Sequence, residues 1–276
     1  LEFRGANTLE EDFRLYGDDF DSEAIRQWFL EEAQYHNQFA GGRFEDHPKL
    51  YQVFDWHLAF APYFRPTPNM RVLDFGCAEG QALGHLPADR LGFQYVGIDS
   101  SQSLLDAAAV RNPEGEYRLM PDDGRIPAQD GEFDYALVLG VLHHVPNVSH
   151  YLAELCRVLS PGGRLILREP CHAMGRVVGS HRALSGLSPN ERGIPGFYLK
   201  RQLEQLGMRV LAVRPAYHGA VLQLLRRWQP SSEGGWQKIL ALDALLNKAS
   251  GWNVHYDRPH LWTKLAPTAN YVVADK

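Results

Sequence analysis

An acid and two glycines close a hydrophobic run at Asp74-Phe75-Gly76-Cys77-Ala78-Glu79-Gly80. A second acid, Asp99, closes the next such run and is followed by Ser100. Residues without a Cβ let the backbone turn tightly and let a ligand come close. The stretch that follows, "EGQALGHL", reads as a helix whose first amides point at the same crevice. In a doubly wound sheet, an acid at the end of the second strand reaches the two hydroxyls of a ribose. Turn plus acid therefore reads as an adenosine-ribose site. Two cofactor classes meet that description, and charge separates them. A nicotinamide dinucleotide asks for G-x-G-x-x-G against its diphosphate, and this turn reads D-F-G-C-A-E-G. A carboxylate at Asp74 repels a diphosphate and suits a cation such as an ammonium or a sulfonium. That favours S-adenosylmethionine.

Other residues are candidates for the chemistry itself. His143 and His144 follow a strand at 133–140. A histidine there can take a proton from a hydroxyl or amine nucleophile, and the plainer alternative is packing and a hydrogen bond at a helix start. Glu169 ends the next strand. It either orients a polar group of a substrate or pairs with Arg168 or Arg176. Cys77 reads as a small buried filler. His172, His181 and Glu191 are weaker candidates. Tyr16, Tyr35, His36 and Phe39 offer an aromatic cover for a sulfonium, or simply core. Arg226 and Arg227 read as a solvated face, with contact to an anionic substrate as the functional alternative. No metal site is expected: three cysteines and twelve histidines fall into no ligand spacing.

These residues need elements to hold them. Residues 1–66 read as a helical N-terminal cap, with "SEAIRQWFLEEAQYHNQF" starting at a Ser22 cap and "HPKLYQVFDWHLAFAPYF" ending near Pro62 and Pro66. From 67 to 276, short apolar strands alternate with helical stretches, the pattern of a parallel sheet in an α/β domain. The strands read as "MRVLDF", "FQYVGID", "EYRLM", "FDYALVLG", "RLILRE", "MRVLAVRP" and "ANYVVADK". Residues 170–196 are too long for an ordinary connection and read as a substrate-facing loop. Residues 215–268 read as a helical insertion before the last strand.

Composition sets the outer bounds. The 276 residues are 45% hydrophobic and 22% charged, as in a globular protein with a real core. A net charge of −5 gives no overall basic field, so nucleic acid is not an expected partner. No apolar run reaches the ~20 residues of a membrane span. Free cysteines without pairing patterns point to a reducing, cytoplasmic setting. The first residue is Leu1 rather than a methionine, and targeting is read no further.

On these motifs the chain resembles class I S-adenosylmethionine-dependent methyltransferases of the ubiquinone and small-molecule type. The resemblance covers roughly residues 70–170, and the rest more loosely. The family turn is D-x-G-x-G-x-G. Asp74, Gly76 and Gly80 match it, and Ala78 stands where the family has its middle glycine. A methyl there is tolerated where φ is negative. Asp99 matches the ribose-binding acid. "MPDDGRIPAQDGEFDYALVLGVLHHVPN" resembles the family's G-D-A-x-x-L-P-F…F-D-x-V…L-H-H-V segment, and "LSPGGRLIL" its turn before strand five. The match implies Asp122 at the adenine amino group, Asp123 beside the ring and Gly140 facing the cofactor. It implies a Rossmann-like α/β fold, a seven-stranded mostly parallel sheet with an antiparallel last strand. The implied activity is methyl transfer from S-adenosyl-L-methionine to a small-molecule or sugar-type metabolite, with oxygen as the expected acceptor atom. A nicotinamide oxidoreductase and a non-catalytic, cofactor-binding scaffold are the alternatives.

Overall fold

The computed structural model describes residues 21–37, 49–86, 92–121, 124–172, 192–254, 256 and 260–276. Asp122, Asp123, Arg176, His181, Glu191, Tyr16 and Phe39 lie outside these residues, as does most of the 170–196 segment. The side chains of Tyr35 and His36 lie outside them too.

Seven strands form one sheet: β1 (Arg71–Phe75), β2 (Gln94–Asp99), β3 (Glu116–Leu119), β4 (Phe133–Leu139), β5 (Leu159–Pro170), β6 (Arg209–His218) and β7 (Pro267–Asp275). Their order is β3-β2-β1-β4-β5-β7-β6. Strands β3, β2, β1, β4 and β5 pair in parallel, and β7 runs antiparallel to both β5 and β6. This is the Rossmann-like α/β sheet with an antiparallel last strand.

Period-two alternation along each strand sorts the core into two layers. Leu73, Phe75, Ala136, Val138, Leu165 and Leu167 face one side. They are covered by α4 (Val148–Val158) and α5 (Gly196–Gln205). Val72, Tyr135, Leu137, Ile166 and Val273 face the other. That side is covered by α2 (Lys49–Asp55), by the π turn Trp56–Phe60 that continues it, and by α6 (Gly219–Leu225) and α7 (Glu233–Ala249). Beside these lie α1 (Ser22–Asn37), α3 (Gln102–Arg111) next to β2 and β3, and a single helical turn at Ala61–Tyr63.

Three local expectations are corrected. The stretch after the glycine turn is a five-residue 3-10 turn, Gln81–His85, not an α-helix. Gly84 and Pro87 follow too closely for helix propagation, so no row of helix amides faces the crevice. The cap of α1 is Asp21, whose Oδ1 accepts the Ala24 amide at 2.8 Å, rather than Ser22. Strand β6 runs on to His218, so the helices between β6 and β7 start at Gly219 rather than at 215. Among the described residues, no helix is long and apolar enough to cross a membrane, and no cluster of three or more His, Cys, Asp or Glu could hold a metal.

Candidate active site

β1 delivers the chain to the carboxyl edge of the sheet, where it turns through three left-handed residues. Gly76 has φ +70°, Ala78 +45° and Gly80 +74°. Gly76 has no room for a side chain in any case: a Cβ would lie 2.5 Å from Cγ1 of Val141, in the loop leaving β4. Ala78 is the correction here. Its φ is positive, so the residue sits in a region that costs an L-amino acid about 1–2 kcal/mol.

The turn spends its amides on its own chain. Gly76 and Cys77 donate to the Ile98 carbonyl at 2.8 and 3.1 Å, and Gly80 donates to the Cys77 carbonyl at 2.8 Å. Ala78 donates to Asp99 Oδ2 at 3.0 Å, while Asp99 Oδ1 accepts the Ser101 amide at 2.9 Å. A phosphate cradle needs free amides, and these four are engaged. Asp99 is half-buried at the sheet edge. Such a carboxylate suits neutral hydroxyls. Ser100 beside it is exposed. Cys77 is buried, and burial together with Asp74 and Asp99 pushes its thiol far above its ordinary range. It is no nucleophile.

Asp74 lies beneath the turn. Its Oδ2 accepts the Tyr95 hydroxyl at 2.6 Å, and Oδ1 takes no hydrogen bond among the described residues. Burial pushes its carboxyl up to about 6, against the Tyr95 hydrogen bond and the nearby His85. At neutral pH it is still mostly the anion.

β4 ends at Gly140, with φ +80° and its amide donating to the Arg168 carbonyl at 2.7 Å. The positive φ sends the chain into a 3-10 turn, Leu142–His144. Glu169, fully buried, organises that turn. Its Oε1 accepts the Val141 and Leu142 amides at 2.9 and 2.8 Å. Its Oε2 lies 2.8 Å from His143 Nδ1. A carboxylate only accepts, so Nδ1 carries a proton, and in the neutral ring Nε2 holds the lone pair. Nε2 has no hydrogen-bond partner among the described residues. A Cβ on Gly140 would stand 3.6 Å from His143 Cε1 and 3.7 Å from Arg168 Nη1, so both side chains flank that glycine.

His144 does other work. Its ring contacts that of His143, with centroids 4.0 Å apart. Its Nδ1 meets Glu32 of α1 at 3.0 Å, and its carbonyl accepts the Trp28 indole N–H at 2.6 Å. Arg192 lies over the Trp28 ring at 4.3 Å and donates to the Val145 carbonyl at 3.0 Å. His144 thus ties α1 over the loop after β4.

On the opposite face is a buried network the sequence reading missed. Glu169 does not pair with Arg168, because neighbours on a strand point to opposite faces. Arg168 Nε instead meets Asp55 Oδ1 at 2.9 Å, and its guanidinium lies over Tyr51 at 4.6 Å. Asp55 also accepts the Tyr271 hydroxyl at 2.6 Å and contacts His85 Nδ1 at 2.7 Å. Burial alone would raise the Asp55 carboxyl, but Arg168 and His85 hold it below its ordinary value. The signals were an acid inside the apolar stretch "LYQVFDWHLAF" and an arginine at the end of an apolar strand.

The profile of a methyltransferase domain matches residues 43–213, well over half of the chain. The chain belongs to the methyltransferase-domain family. Residues 43–213 thus form a domain of the class I S-adenosylmethionine-dependent methyltransferase family. The chain is 32% identical over 106 residues to a ubiquinone biosynthesis O-methyltransferase of Maricaulis maris, covering 37% of this chain and 41% of that protein. It is 28% identical over 197 residues to a demethylmenaquinone methyltransferase of Beutenbergia cavernae, covering 71% of each. The chain thus spans about two fifths of the length of the first relative. A crystal structure of a SAM-dependent methyltransferase from Archaeoglobus fulgidus has the same fold, with a TM-score of 0.54 at 15% identity over 90% of this chain and 99% of that one.

Proposed function

We propose that this methyltransferase methylates a hydroxyl oxygen of a small molecule, with His143 as the general base and Glu169 as its positioning residue. The observation that carries this reading is the Glu169–His143 pair at the end of β4, beside Gly140. Asp99 holds the ribose hydroxyls, the turn from Asp74 through Gly76, Cys77, Ala78 to Gly80 passes beneath the cofactor, and Gly140 leaves the space where the methyl group crosses. Asp122 and Asp123 take the adenine side by family resemblance. The bound cofactor supplies a methyl group on a positively charged sulfur. His143 Nε2 would accept the acceptor's hydroxyl proton as the oxygen took up that methyl group, leaving a neutral thioether. Orientation does much of the rest. The two curated relatives act, by their names, in ubiquinone biosynthesis and on demethylmenaquinone, which supports a small-molecule acceptor. A sugar-type hydroxyl fits the same base.

The test is His143→Gln. Its kcat is expected to fall about 10²–10³-fold, with S-adenosylhomocysteine affinity by calorimetry unchanged. Transfer by the variant recovers as pH rises toward the acceptor's own pKa. Unchanged kcat would assign His143 to packing. Tight cofactor binding without transfer to any hydroxyl acceptor would favour the scaffold reading.

A further inference from the structure

Helix α7 is apolar on two sides, and the described residues bury one of them. Its inner side, Trp236, Ile239, Asp243 and Asn247, is buried. Asp243 Oδ1 accepts the His218 amide at 2.7 Å, and Asn247 bridges Asp243 and the Pro215 carbonyl. That side is fixed to the end of β6. The outer side repeats Lys238, Leu242, Leu245 and Lys248 at helical spacing. Leu242 is 37% exposed and Leu245 63%. The line continues into the 3-10 turn Gly251–Asn253, where Trp252 is 72% exposed. Its ring stacks on Trp262, itself 48% exposed, with centroids 6.5 Å apart. Asn253 Nδ2 locks the two segments together by donating to the Trp262 and Leu265 carbonyls at 2.9 and 3.2 Å. From Lys238 to Trp252 the face is about 21 Å long.

Charge is distributed to match. Residues 219–266 carry six Lys and Arg against three Asp and Glu, a net +3 in a chain of net −5. One of those acids, Asp243, is buried. No acid stands at 238, 241, 242, 245, 248, 249 or 252.

We propose that this face docks the enzyme on an anionic lipid surface. Tryptophan settles at the boundary between headgroups and chains, leucines enter it, and lysines meet the headgroup charge. A second copy of the chain fits worse: two-fold pairing on this face would set Lys238 and Lys248 against lysines of the other copy. Helix α7 packs on β6, at the other end of the sheet from β2 and Asp99, and its role is read by lipid binding rather than by methyl transfer.

The full chain is sedimented with vesicles of phosphatidylcholine and phosphatidylglycerol, and with vesicles of phosphatidylcholine alone. The expected result is binding to the anionic vesicles that weakens at high salt. The pair Lys238→Glu and Lys248→Glu, and separately the pair Leu245→Ser and Trp252→Ser, lower that binding about tenfold or more. Thermal melts and S-adenosylhomocysteine affinity stay as in the wild type. The lysine pair is wholly on the surface, so its reading survives if the apolar pair fails to fold. Equal binding to both vesicle types, or none to either, overturns the proposal. So does concentration-dependent self-association that Leu245→Ser abolishes, which would assign the face to a second copy.

Discussion

At the scale of single residues, the turn after β1 carries a strain that the sequence marks by one letter. Ala78 adopts φ +45° because its amide must reach Asp99, a role that glycine would fill without strain. Ala78→Gly is therefore expected to raise stability by about 0.5–1 kcal/mol, the relief of the left-handed conformation less the extra freedom of glycine in the unfolded chain. A lower urea midpoint in the variant would show that the methyl is held by packing instead. Glu169→Gln tests the other residue-scale claim. A glutamine cannot accept from two amides and from His143 as the carboxylate does, so the imidazole loses its fixed tautomer. A fall in kcat of about tenfold or more is expected, together with a changed nitrogen NMR signature of His143. A purely structural glutamate would lower stability and leave both unmoved. Asp74, Gly76, Gly80 and Asp99 were legible because their meaning is local: a left-handed φ, a missing side chain, an acid at a strand end. The Asp55–Arg168 pair was not, because its partners come from α2 and β5 and only the folded sheet brings them together.

At the scale of elements, alternation and turn residues placed all seven strands, since a strand buried on both faces is an uninterrupted apolar run. Helices were read less well. The stretch after the turn shortened to one 3-10 turn because two glycines and a proline within eight residues outweigh its few good helix formers. The position of α1 was also illegible. It depends on Trp28 and Glu32 reaching His144, and nothing in the spacing of α1 names that partner. Those contacts make a prediction about α1 alone. Trp28→Ala removes the indole hydrogen bond to the His144 carbonyl and the ring beneath Arg192. Hydrogen exchange in residues 22–37 is expected to quicken several-fold, while β1, β4 and β5 stay as protected as before. Equal protection of α1 in both proteins would mean that its own helical contacts suffice.

At the scale of the whole molecule, the buried carboxylates shape how stability responds to pH. Burial pushes Asp74 up to about 6, and does the same to Asp243 against the amide and Asn247 hydrogen bonds it accepts. Unfolded, each has an ordinary value of 3.8. Between those values the folded protein holds protons that the unfolded chain releases, so stability falls as pH rises from about 4 to about 6. Each group contributes a penalty on the order of 3 kcal/mol above that window. Asp55 has the opposite sign. Its carboxyl is held low by Arg168 and His85, so its contribution is present above the ordinary value and is lost as pH drops below it. The two trends meet in a stability maximum near pH 4 rather than at neutrality. Denaturant unfolding of the free enzyme across pH 3–8 checks this. In Asp74→Asn the Tyr95 hydroxyl keeps an oxygen to donate to, while the titrating group is gone. The variant's maximum is expected to broaden toward neutral pH, and its stability relative to the wild type to grow by about 3 kcal/mol between pH 4 and pH 7. A constant difference between the two proteins across that range would mean that Asp74 folds with its ordinary pKa, and that the ground beneath the turn after β1 is wetter than its packing shows.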